Sequence, residues 1–116
     1  MAIFKLVEGL TYAADAAVDL SSSLNRLCVI NSDGEVALCG ADAKAIGSIF
    51  EPGELGQPVS IQMGGICKVV AGEVIAAGDR VNSIANGLLG QGTTNPVGIA
   101  LNGGAIGTVI SVAMVN

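Results

Sequence analysis

The sequence predicts an all-β protein, a small β-sandwich or barrel of short antiparallel strands, preceded by an extended N-terminal arm. Three observations carry this. Strand-sized apolar runs recur with turn residues every 8–12 positions, the spacing of a compact sandwich or barrel. The 116 residues are 51% hydrophobic but only 3% aromatic, so Val, Ile, Leu and Ala must build the core. Gly occurs 17 times, about twice average usage, and marks frequent turns.

Taken in order, residues 1–24 do not fit a strand pattern. TYAADAAVDLSSS has helix-tolerant Ala without a clear period, then a Ser run. An arm over 1–24 and a β-domain over 25–116 are the expected organisation. Leu27 to Ile30 and Glu35 to Leu38 flank Asn31-Ser32-Asp33-Gly34, a turn sequence. Ile46 to Phe50 ends at Glu51-Pro52-Gly53-Glu54, with Pro fixing φ and Gly placed for a positive φ. Gln57 to Met63 alternates, putting Val59, Ile61 and Met63 on one face. Gly64-Gly65 interrupts, and Ile66 to Ala71 resumes. Arg80 to Ala85 and Leu88-Leu89 flank Asn86-Gly87, a two-residue hairpin signal. Val97, Ile99 and Leu101 alternate with Gly98 and Ala100, and Thr108 to Val115 is apolar on both faces.

Charge is uneven. The net charge is −5. Residues 1–54 hold Glu8, Asp15, Asp19, Asp33, Glu35, Asp42, Glu51 and Glu54 against Lys5, Arg26 and Lys44. No charged side chain follows Arg80. An acidic chain without a basic cluster, and without aromatic stacking platforms, is a poor nucleic-acid binder. Residues 97–115 lack charge over a length that approaches a membrane span. Central Gly, high β-branched content, missing flanking cations and the Asn102-Gly103 hairpin signal favour strands instead. A strand apolar on both faces needs cover on both. The charge-free last third therefore either packs against other subunits, whose interfaces are depleted of charge at their centre, or is simply the core.

Candidate chemistry is sparse. There is no His, which removes Ser-His and Cys-His nucleophile pairs, and no phosphate-cradling Gly motif. Glu51 with Glu54, or Asp15 with Asp19 on a helix, are the available carboxylate pairs, and solvated acids near turns explain both. An EF-hand alignment on Asn31, Asp33 and Gly34 fails, because Val29 and Gly40 fall at ligand positions. Asp79-Arg80 reads as a surface pair or strand entry, and Lys68 as an edge-strand Lys. Cys28, Cys39 and Cys67 lack metal-ligand spacing; Cys28 and Cys39 could bridge a hairpin, but buried thiols of a reducing cytosol are the plainer reading. MAIFKLVEGL has no apolar core of secretory length. No cofactor, metal or catalytic residue is expected.

One set of residues carries a family likeness. Gly56-x-x-Val59-x-Ile61, then Gly65, Val69 and Gly72, then Val74-Ile75-Ala76-Ala77-Gly78-Asp79-x-Val81, Asn86-Gly87, and Pro96-Val97-Gly98-Ile99-Ala100 follow in order. This pattern of turns resembles the head decoration, or capsid cement, proteins of tailed bacteriophages, over roughly residues 27–115. The resemblance implies a small β-barrel or sandwich that assembles as a homotrimer on the outer surface of a head. There it would sit near three-fold and quasi-three-fold axes and bridge major capsid proteins. It implies an arm that grips the capsid, for which Ile3, Phe4, Leu6 and Tyr12 are the candidates. Val97, Ile99, Leu101, Ile110, Val112 and Met114 are the candidate subunit interface. The competing expectation is a small β-barrel module for a ligand or glycan, weakened by the shortage of aromatics.

Overall fold

A computed structural model describes residues 11–114. Ten short strands form two antiparallel sheets. The first contains β1 (Thr11–Asp15), β2 (Leu27–Ile30), β3 (Val36–Leu38), β4 (Gly47–Glu51) and β5 (Pro58–Gln62), in the order β1-β5-β4-β2-β3. The second contains β6 (Ile66–Val70), β7 (Arg80–Ser83), β8 (Leu89–Gln91), β9 (Gly98–Ala100) and β10 (Val109–Met114), in the order β6-β10-β9-β7-β8. The all-β expectation holds.

The second order is the first with five added to every strand number. The two sheets are one unit built twice. Leu27 pairs with Ser48 and Cys28 with Gly47; Arg80 pairs with Ile99 and Val81 with Gly98. Cys28 pairs with Leu38 and Ile30 with Val36; Val81 pairs with Gln91 and Ser83 with Leu89. Each sheet curls until the end of its first strand meets its third, through the parallel bridges Ala16–Val36 and Ala71–Leu89. The loops repeat as well. The Asn25 amide donates to the Ile49 carbonyl at 2.8 Å, and the Gly78 amide to Ala100 at 2.7 Å. The Leu20 amide donates to Gly53 and the Ile75 amide to Gly104, both at 3.0 Å. Positive φ recurs at Gly34 and Gly87, Gly56 and Gly107, and Asn25 and Gly78.

Burial follows the pleat. Cys28, Val36, Ile49, Val59 and Ile61 fill the first curled sheet, closed by Ala16 and Leu20 from the β1–β2 connection. Val69, Val81, Leu89, Ile110 and Val112 fill the second, closed by Ala71 and Ile75. Alternation sends Leu27 and Val29 out of the first sheet and into the second core, so β2 is covered on both faces. Cys39 and Ala45 join the second core from the same side.

Several expectations are corrected. Residues 11–24 are not an arm: β1 pairs with β5 from Thr11–Gln62 to Asp15–Pro58, and Ala16 and Leu20 are fully buried. Ile3, Phe4 and Leu6 lie outside the described residues. Asp15 and Asp19 share no helix face, since Asp15 ends a strand. Asn102-Gly103 is not a two-residue hairpin; β9 and β10 are joined by residues 101–108. Gly53 has no positive φ, and Gly56 takes that role in the turn before β5. Cys28 and Cys39 do not bridge. Cys28 sits opposite Leu38, so its neighbour Cys39 points to the other face, and all three cysteines are free and buried. Among the described residues no helix is long and apolar enough to cross a membrane.

Candidate assembly surface

The outward face of the second sheet is the most apolar open surface that the strand registers define. Three cross-strand rows build it. Ile66, Ala113, Ile99 and Arg80 lie side by side across β6, β10, β9 and β7. The next row places Lys68 opposite Ser111, whose carbonyl accepts from the Leu101 amide at 2.8 Å. The third pairs Val70 with Val109. Ile66 is 58% exposed, Leu101 49% and Val109 41%. Beside Ile99, the residues Arg80, Pro96 and Gly98 line a hollow of about 110 Å³.

Of the candidate interface residues, Val97, Ile110 and Val112 are buried in the protein's own core, and Met114 packs against that core next to Cys67. The interior of the second sheet accounts for part of their uncharged stretch; Leu101, Ile106 and Val109 within it are exposed. β10 is not covered on both faces; Ile110 and Val112 point in, while Val109, Ser111 and Ala113 point out. Ile99 and Leu101 remain on the outer face. Ile66 and Arg80 join them, and only strand register, which single-strand periodicity does not supply, brings the four together.

Tyr12, on the edge strand β1, is 48% exposed. With Thr11, Ala13, Phe50 and Ser60 it lines a shallow groove of about 360 Å³. Tyr12 and Phe50 are the two aromatic side chains among the described residues.

The perturbed titratable groups owe their shifts to local hydrogen bonds and burial. Asn31 Oδ1 accepts the amides of Asp33 and Glu35, both at 2.9 Å, which makes the Asn31–Glu35 segment an Asx turn. Asp79 accepts from the Gln91 side chain and from the Ala76 amide, and these bonds hold its carboxyl below the usual carboxylate range. Asp19 is lowered by its hydrogen bonds with Ser21. Burial, reinforced by the charges that Cys39 and Cys67 would carry, pushes the Cys28 thiol up to about 12. Cys39 and Cys67 are also raised by burial, opposed by bonds with Ser83 and Ser48. Among the described residues no three His, Cys, Asp or Glu converge on a metal-sized site.

The fold and surface together define a tandem pair of curled five-stranded sheets with an open apolar face. No protein-family model and no curated protein matches the chain. The same fold occurs in the crystal structure of the head fiber gp8.5 N base of bacteriophage phi29. It superposes with a TM-score of 0.77 at 16% identity, over 91% of this chain and 93% of that one. At that identity the likeness establishes the shared fold.

Proposed function

We propose that this protein is a structural component of a phage virion that binds the outside of the head, assembles there as a homotrimer near three-fold and quasi-three-fold positions, and bridges major capsid subunits. The observation that carries this is the near end-to-end match to a phage head-fiber base. Two chains sharing so little sequence keep all of one fold, and fold alone hosts many functions. The reading therefore leans also on the turn pattern that resembles phage head decoration proteins, and on an open apolar face suited to repeated contacts. Neither catalysis nor a cofactor enters it.

Residues 1–10 are the proposed capsid-gripping arm, with Ile3, Phe4 and Leu6 as contacts. Deleting residues 1–10 should leave a folded protein that no longer binds heads, read by co-sedimentation with purified capsids. Unchanged binding refutes the arm. Deletion through residue 20 would remove β1, Ala16 and Leu20, and is expected to unfold the first sheet.

The whole reading is tested by fractionating a native lysate on a density gradient. Co-migration with DNA-filled heads at a fixed ratio to the major capsid protein supports it. Recovery only with soluble proteins overturns it. A second reading, a ligand- or glycan-binding module, is favoured by the groove that joins Tyr12 and Phe50; glycan binding abolished by Tyr12→Ala would select it.

A further inference from the structure

The duplication places two surfaces in this chain twice, and each is used once. The first repeat offers a face to the second. The Asn25 carbonyl accepts the Val70 amide at 2.8 Å, the Cys39 carbonyl accepts the Gly87 amide at 2.8 Å, and Arg26 Nη1 donates to the Asn86 carbonyl at 3.0 Å. Leu27 lies under Gly87, where an added Cβ would come within 2.3 Å of the Leu27 carbonyl oxygen. The second repeat answers with the end of β6 and the β7–β8 turn.

Strand register gives the equivalents of both sides. The face of the first repeat, Leu27, Cys39 and Ser48, corresponds to Arg80, Gly92 and Ile99 in the second. Leu27, Cys39 and Ser48 are buried; Arg80 is exposed, and Gly92 and Ile99 are only partly covered. The answering side of the second repeat, Cys67, Val70 and Gly87, corresponds to Tyr12, Asp15 and Gly34 in the first. Cys67 and Gly87 are buried and Val70 is half-buried; Tyr12, Asp15 and Gly34 are all exposed. The first core is also less closed than the second. Ala14 and Ile46 are partly buried, where their equivalents Val69 and Val97 are fully so.

We infer that a second copy of this chain docks its first repeat on the outward face of the second repeat, reproducing between chains the contact made within the chain. Tyr12 and the Asn31–Gly34 turn of one copy then lie against Ile99 and the hollow beside it. Arg80 on the face then neighbours Asp15 and Asp33 on the incoming side, an opposite-charge pairing. Asp79, the equivalent of Arg26, comes opposite Asp33, the equivalent of Asn86, so the repeated register rather than charge selects this occupant. The contact is head-to-tail, so it closes into a ring or continues as a filament. In a trimer it sets six equivalent repeats around the axis. This deepens the reading of an assembling head protein, and its test needs no heads, so the two fail separately.

The test is sedimentation velocity on the full chain, with Ile99→Asp blocking the face and Tyr12→Asp blocking the incoming side. The wild type is expected above the 11.4 kDa monomer mass. Each variant alone is expected at the monomer mass, with urea midpoints near wild type showing that both are folded. Mixed at equal ratio they retain one good surface each, and should form a 1:1 heterodimer and nothing larger. Arg80→Glu should also dissociate the assembly, and Asp33→Arg in the same chain should restore it. A monomeric wild type, assembly indifferent to both substitutions, or folded variants that do not pair on mixing would each overturn the inference.

Discussion

Alanine at Gly98 is expected to cost far more than its size suggests. An added Cβ would lie 1.9 Å from the Ala113 carbonyl oxygen and 2.8 Å from its carbon, both backbone atoms of β10. Ordinary contact begins at 3.4 Å, so β9 and β10 must part by 3.4 − 1.9 = 1.5 Å. Overpacking costs about 1–3 kcal/mol where side chains yield. Here the ladder itself must open, so the upper end applies, about 3 kcal/mol. With a urea slope of about 1.5 kcal/mol per molar, the unfolding midpoint falls by about 2 M. The repeat supplies a twin: at Gly47 the Cβ would lie 2.1 Å from the Gln62 carbonyl oxygen, and the same loss is expected. Gly40→Ala is the control, with nothing within 4 Å of its Cβ and no positive φ. A Gly98→Ala midpoint within about 0.5 M of the control would refute the close-approach argument.

Three further outcomes are expected. Ile110→Ala, at a fully buried position, should lose about 2–5 kcal/mol in urea unfolding. Its counterpart Val59→Ala should lose less, because fewer buried carbons are deleted. A thiol reagent at pH 7 should modify none of the three cysteines in the native protein and all three in denaturant, since burial raises all three thiols. Asp79 is held below its ordinary value of 3.8, so its contribution is present above that value and is lost as pH falls through its lower folded value. Acid unfolding of Asp79→Asn should therefore fall less steeply below about pH 4 than wild type, read by circular dichroism against pH.

Nine of the ten strands were legible as short apolar or alternating runs bounded by turn residues, with Val59 and Ile61 pointing inward in β5 and Ile110 and Val112 in β10. β1 was not. TYAAD pairs at a sheet edge with four of its five residues exposed, so no apolar alternation announces it. The duplication was hidden for a different reason. Residues 47–63 and 98–114 align without a gap, yet share only Gly47/Gly98, Gly53/Gly104, Gly56/Gly107, Ser60/Ser111 and Met63/Met114. What repeats is the backbone: where it turns left-handed, and where two strands leave no room for a Cβ. Asn25 and Gly78 meet the first demand with different residues. The candidate surface was legible only in part, since the alternation that singled out Val97, Ile110 and Val112 marks an inward face as readily as an interface. Ile99 and Leu101 differ from them by facing outward.

The two repeats should also need one another. Each spans about 50 residues, a length at which a single core is marginal. The second core takes Leu27, Cys39 and Ala45 from the first repeat, and burying a Leu of this kind contributes about 1.5–3 kcal/mol. That is a large share of a total stability of about 5–15 kcal/mol. Backbone bonds from Val70 to Asn25, Gly87 to Cys39 and Asp42 to Ser83 cross the same boundary, and cutting the chain there would leave them to water. A fragment of residues 64–116 is therefore expected to lack dispersed amide chemical shifts by itself, and to gain them when mixed with residues 1–63. The full chain should unfold in a single transition. A fragment 64–116 that folds alone as a monomer, with a urea midpoint equal to that of the intact chain, would show that the repeats are independent domains. The first repeat's face would then be a weak contact rather than part of the second core.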